Sequence, residues 1–87
     1  MATMQVDVVS AEEQLFSGEA SEFYARSLEG EIGILPGHQP ILLMLQPGSA
    51  VRVKTAGGQE SFDVPSGGFL EFRDNHLIVL AEATDSE

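Results

Sequence analysis

Glu29-Gly30-Glu31-Ile32-Gly33-Ile34-Leu35-Pro36-Gly37-His38 sets three glycines, one proline and one histidine around three aliphatic residues. Glycine reaches backbone angles that other residues resist, while Pro36 fixes one dihedral and removes a hydrogen-bond donor. A short apolar segment bracketed in this way predicts a strand that enters and leaves sharp turns. The stretch holds no complete catalytic set and reads as a shaped loop that a partner recognises.

The flanks carry the same period. Upstream, Glu22 to Leu28 alternates, with Phe23 and Ala25 on one side and Glu22, Tyr24 and Arg26 on the other. Met4, Val6 and Val8 alternate with Gln5 and Asp7, as a half-buried strand does. Ser10 to Glu13 reads as a turn, and Leu15-Phe16 as a short strand ended by Ser17-Gly18. Downstream, Pro40 cannot donate to a ladder, so it belongs at the start or edge of the strand Ile41–Leu45. Pro47 and Gly48 occupy favoured turn positions. In Ala50–Thr55, Val51 and Val53 face inward and Arg52 and Lys54 outward.

Gly57-Gly58 predicts a tight hairpin, because paired glycines accept positive φ. The returning strand turns Phe62 and Val64 inward, and Pro65-Ser66-Gly67-Gly68 breaks it. Strands Phe69–Arg73 and Leu77–Ala81 are joined across Asp74-Asn75-His76, since Asp and Asn tolerate the left-handed region. Thr84 to Glu87 reads as a polar tail. This gives eight or nine short strands and no helix, an all-β two-layer sandwich or flattened barrel.

Composition narrows the function classes. Eighty-seven residues make one domain, residues 1–87 with about 4–83 structured. Fourteen acidic residues against four basic ones give a net charge of −10. Nucleic acid and anionic membrane surfaces are therefore disfavoured partners, and a basic protein partner is compatible. There is no cysteine, which excludes disulfides and thiolate metal sites. No targeting segment is expected at Met1–Met4. The longest apolar runs, Ile41–Leu45 and Leu77–Ala81, have five residues, against about 20 for a membrane-spanning helix.

No catalytic, metal or cofactor site is expected. His38 and His76 lie in no nucleophile motif. His76 reads as a solvated residue beside a turn. His38 reads either as a hydrogen-bonded loop residue or as a partner contact. Two distant histidines do not make a zinc site, and Glu12-Glu13 with Glu29 and Glu31 lack the offsets of a calcium loop. Gly30-x-x-Gly33 and Gly67-Gly68 lack the companions of a phosphate loop. Alone, these residues suggest a binding or assembly module. A stand-alone sandwich for protein or sugar is one alternative, and a small hydrolase using His38 with a carboxylate is another.

An ordered set of segments points further. Val8-Val9-Ser10-Ala11-Glu12-Glu13-Gln14, Phe16-Ser17-Gly18 and Gly30-Glu31-Ile32-Gly33-Ile34-Leu35-Pro36-Gly37-His38-x-Pro40 are followed by Pro47-Gly48, Gly67-Gly68-Phe69-Leu70-Glu71 and Leu77-Ile78-Val79-Leu80-Ala81. Together they resemble the epsilon subunit of bacterial F-type ATP synthases, over roughly residues 4 to 83. The resemblance implies a β-sandwich of about ten strands in a non-catalytic subunit of the rotary central stalk. By similarity it binds the gamma subunit and the ring of c subunits, coupling proton-driven rotation to ATP synthesis. It would sit peripherally on the cytoplasmic face of the bacterial plasma membrane.

The resemblance places Glu29, Glu31, Ile32 and Gly33 on the c-ring side and His38 on the gamma side. Pro36, Gly37, Pro40, Pro47, Gly48, Gly57, Gly58, Gly67 and Gly68 are expected to shape turns. Family members continue into a C-terminal helical hairpin. The sequence reaches Glu87, where that hairpin would begin, so the helical part is expected to be absent and no inhibitory or nucleotide-binding role is carried over. The isolated chain is expected as a monomer. Gln46 also stands where the family often has a basic residue.

Overall fold

The computed structural model describes residues 2–82 and forms nine strands, with no helix among them. They are β1 Met4–Ser10, β2 Gln14–Ala20, β3 Glu22–Ser27, β4 Gly30–Ile34, β5 Ile41–Leu45, β6 Ser49–Thr55, β7 Gly58–Val64, β8 Gly68–Arg73 and β9 His76–Ala81. Nine is the upper figure of the residue-by-residue count, close to the ten or so that the resemblance implied. The expected polar tail, and Ala83 at the end of the expected domain, lie outside the described residues.

Alternation fixes which face each strand buries. Val6 and Val8 on β1, Phe23 on β3, Val51 and Val53 on β6, Leu70 and Phe72 on β8, and Leu77 and Val79 on β9 are all buried. Each such side chain contributes about 1.5–3 kcal/mol relative to an exposed position. The hydrogen-bonded order is β2-β1-β9-β8-β5-β3-β6-β7, with β4 on the other edge of β3. Tyr24 pairs with Gly33 of β4 and with Arg52 of β6, so those two strands flank β3 on opposite sides.

The path folds into two layers where β5 leaves β3. Only Ser27 and Leu45 pair there. The junction is held by Leu28 N–H donating to the Met44 carbonyl at 3.1 Å and Gln46 N–H to the Arg26 carbonyl at 2.9 Å. Across the opposite seam, the Phe16 and Phe62 rings meet with centroids 6.1 Å apart. β1 and β9 pair in parallel, Gln5 beside His76 and Ser10 beside Ala81, so the first and last strands of the chain are neighbours in the sheet.

Three expectations are corrected. β2 does not stop at Ser17-Gly18 but runs to Ala20, because β1 offers a continuous ladder pairing Asp7 with Ser17, Val6 with Gly18 and Met4 with Ala20. The β6–β7 turn falls on Ala56-Gly57, one residue earlier than expected. Gly58 already pairs with Thr55 and takes the positive φ, 135°, while the Thr55 hydroxyl accepts from Gly57 N–H at 3.2 Å. His76 is not a turn residue but the first of β9. Asp74 and Asn75 alone make that turn, both left-handed with φ of 53° and 60°.

Candidate functional site

The stretch Glu29 to His38 divides into a turn, a strand and a loop. Ser27 pairs with Gly30 around a two-residue turn, Leu28-Glu29. The buried Ser27 hydroxyl makes that turn possible, accepting from Glu29 N–H at 3.1 Å and donating to the Gly30 carbonyl at 2.9 Å. Glu29 is thereby left exposed at the hairpin tip. The strand predicted between the turns of this stretch is β4, which forms because β3 provides an edge with matching alternation.

β4 does not present its expected contact residues together. Glu31 and Gly33 are exposed, while Ile32 is half-buried and packs against the core. The period of two sends neighbours to opposite faces. Glu31 meets Arg26 across the hairpin at 2.9 Å, both side chains more than half exposed. A pair this open to water contributes little to stability and yields readily to another partner. Gly33 has an ordinary strand conformation, and its missing side chain matters for a different reason. The Tyr24 ring lies over it, and a Cβ there would meet that ring at 3.0 Å.

Tyr24 anchors a polar cluster on this outer face. Its hydroxyl donates to Glu22 at 2.6 Å, and the Arg52 guanidinium stands 5.7 Å from its ring centre. Glu22 raises the Tyr24 pKa, chiefly through that hydrogen bond. Arg26, Arg52 and Lys54 share this sheet, three of the chain's four basic residues.

His38 lies beyond the far end of β4, in the loop before β5. Its ring is half-buried and meets Phe72 edge-on, centroids 6.1 Å apart. Nδ1 is 2.7 Å from the Gln39 carbonyl, so Nδ1 carries the proton and Nε2 of the neutral ring is an acceptor. Both readings of His38 thus survive, since one edge closes the core and the other nitrogen is free to meet a partner. Glu29 and His38 are separated by the length of β4, about 17 Å at strand rise. Pro36-Gly37 and Pro47-Gly48 form turns as expected, Pro40 lies just before β5, and Gly67 precedes Gly68, the first residue of β8.

Two features escaped the sequence reading. Asp7 and His76 approach to 2.6 Å between β1 and β9. The Ser17 hydroxyl has the largest influence on Asp7, lowering its pKa. Partial burial opposes this, and His76 adds to the lowering. A depressed carboxylate contributes stability above the usual carboxylate range and loses it as pH falls through that range. Asp7→Asn is therefore expected to melt below the wild type at pH 7, with the gap closing towards pH 2. Paired thermal melts across pH check this, and a constant gap would refute it.

The second is an apolar outer face. Leu42 and Met44 of β5 are 67% and 55% exposed, beside exposed Phe69 and Ile78. Met44 pairs with Phe69, and Leu42 is linked through Glu71 to Ile78. The unbroken run Ile41–Leu45 was the available signal, because a strand apolar on both faces expects cover on both. Among the described residues no group of three or more metal-ligating side chains comes together, and no helix is long and apolar enough to cross a membrane.

These features define a small, nearly closed β-sandwich whose candidate contact residues lie on its faces, hairpin tip and loops. Residues 3–86 match the family model of the ATP synthase delta/epsilon chain β-sandwich domain. ATP synthase epsilon chains of Psychrobacter arcticus and Psychrobacter cryohalolentis are each 51% identical over 82 residues, 94% of this chain. The chain spans 59% of the length of those relatives. A chain of the Euglena gracilis mitochondrial ATP synthase OSCP/F1/c-ring assembly superposes with TM-score 0.83 at 25% identity, covering 93% of this chain and 51% of that one. One from the central stalk/c-ring of the Tetrahymena thermophila mitochondrial enzyme gives 0.70 at 17%, covering 92% and 63%, a likeness of fold. The chain belongs to the ATP synthase delta/epsilon family, as its β-sandwich domain.

Proposed function

We propose that this domain is a non-catalytic part of the central stalk of a rotary ATP synthase, joining the gamma subunit to the c-ring and passing rotation between them. The observation that carries it is the division of one conspicuous stretch between two separated surfaces. Glu29, Glu31 and Gly33 occupy the β3–β4 hairpin, and His38 lies beyond the other end of β4. A coupling element needs two such surfaces on a stiff body. β4 supplies them, being laddered to β3 from Ser27–Gly30 through Phe23–Ile34.

Charge and apolar exposure support the same role. A domain of net charge −10 with carboxylates at its hairpin is complementary to basic loops of a ring. The Arg26–Glu31 pair can be exchanged for a ring cation at small cost. An apolar face including Leu42, Met44, Phe69 and Ile78 is what a subunit covered in an assembly presents. The domain then acts peripherally at the cytoplasmic face of the bacterial plasma membrane and needs no cofactor.

Co-purification with gamma is the direct test. Failure to bind gamma at micromolar concentration overturns the proposal. For the ring side, Gly33→Arg is expected to weaken c-ring attachment while the domain stays folded. Within close contact the new Cβ would meet only the side chain of the half-buried Tyr24, a cost on the order of 1–3 kcal/mol. Binding to purified c-ring, alongside a melt of the isolated domain, checks it. Unfolding would assign Gly33 a purely structural role.

A further inference from the structure

Asn75 stands where three separate segments of the chain meet. It is the second residue of the β8–β9 turn, in the left-handed region at φ 60°. Its carbonyl accepts from Gln5 N–H of β1 at 3.1 Å. Its side-chain Oδ1 accepts from Gly37 N–H at 3.0 Å, and Nδ2 donates to the Thr3 carbonyl at 2.9 Å. The amide has one possible orientation, because Gly37 offers a donor and Thr3 an acceptor.

The loop that carries His38 has few other anchors. The His38 N–H bond to the Leu35 carbonyl and the His38 Nδ1 contact with Gln39 both stay inside it. Among the described residues, the Asn75–Gly37 bond is the hydrogen bond tying the loop's interior to the sandwich. The edge-on contact of His38 with Phe72 is the apolar tie. The two anchors sit on adjacent residues, 37 and 38, so together they set both the height and the heading of the imidazole.

We infer that Asn75 is a positioning residue for the His38 surface. It holds Gly37 so that His38 Nε2 is presented to the gamma subunit in a fixed place. The inference rests on the gamma-side assignment of His38 proposed above. Asn75 also couples that surface to Thr3, just before β1, so the loop and the approach to β1 are held by one side chain.

Two substitutions separate the bonds. Asn75→Gly keeps the left-handed turn and loses both side-chain bonds. Asn75→Asp keeps the acceptor for Gly37 N–H and loses the donor to Thr3. In the isolated domain, Asn75→Gly is expected to speed amide exchange at Gly37 about tenfold, the factor for one hydrogen bond of ordinary net strength. Core amides such as Val6 and Val79 should keep their protection, which reports that the domain is folded. Gamma affinity should fall about tenfold in Asn75→Gly and stay within about twofold of wild type in Asn75→Asp.

An unchanged Gly37 amide in Asn75→Gly overturns the inference. So does a released Gly37 with undiminished gamma binding. His38→Ala in parallel separates this from the underlying assignment. If His38→Ala weakens gamma binding and Asn75→Gly does not, Asn75 alone loses its role. If neither substitution affects gamma binding, the gamma-side assignment fails and the inference falls with it.

Discussion

Gly68→Ala is expected to cost the domain more than about 3 kcal/mol, a large share of its stability. Two effects combine at this position. Its φ is 144°, a conformation that L side chains rarely adopt. An added Cβ would also run into the Leu80 carbonyl oxygen, with Ala81 Cα at 3.0 Å. Neither obstacle can swing aside as a flexible side chain could. Gly68 is laddered to Leu45 on one side and Ala81 on the other, so its backbone is held between β5 and β9.

Gly48→Ala supplies the comparison. Gly48 also has positive φ, 82°, but a Cβ there meets nothing within 4 Å. Its cost should stay near the conformational cost alone, about 1 kcal/mol. Urea unfolding of both variants measures the difference. Equal losses would show that close approach of the β9 backbone contributes nothing at Gly68. A domain of this size has only about 4–13 kcal/mol in all, so the larger loss removes a substantial fraction of it.

Local pattern made most of the fold legible. Period-two alternation in β1, β3 and β6 placed Val6, Val8, Phe23, Val51 and Val53 in the core, where they are. Turn chemistry placed the breaks at Ser10–Glu13, Pro47-Gly48 and Asp74-Asn75, because in each the deciding group is a neighbour in sequence. The Ser10 hydroxyl, for example, accepts from Glu12 and Glu13 N–H at 3.3 and 3.2 Å. Ladder partners remote in sequence were not legible. β2 continues through Gly18 because β1 is there to pair with it, and nothing in Ser17-Gly18 says so.

The candidate site divides along the same line. Its residues stood out as glycine and proline punctuation, but their surroundings come from long-range pairing. Tyr24 covers Gly33 through the β3–β4 register, Asp7 finds His76 through the parallel β1–β9 pairing, and Asn75 reaches Gly37 from 38 positions away. Each depends on which strand lies beside which. A stretch that reads as one loop is therefore a hairpin tip, a laddered strand and a separately anchored loop.

Phe72→Ala should produce the second large loss, about 3–5 kcal/mol, with a fall in melting temperature of roughly 12–40 °C. Phe72 is 1% exposed and among the largest side chains in the core. It sits on β8 between Ile41 of β5 and Leu77 of β9, whose backbones cannot close in over the vacated ring. Its outer edge is the surface on which the His38 ring stands. Truncation therefore opens a cavity and removes the apolar floor beneath His38. His38→Ala deletes only the half-buried partner of that contact, and its cost should stay below about 1.5 kcal/mol. The ratio of the two losses, measured by thermal and urea unfolding, tests what His38 is for. If His38→Ala were as damaging as Phe72→Ala, His38 would be a core residue and the partner reading would lose its basis. A small loss of stability with a large loss of gamma binding is the outcome expected of a residue that the core supports and a partner reads.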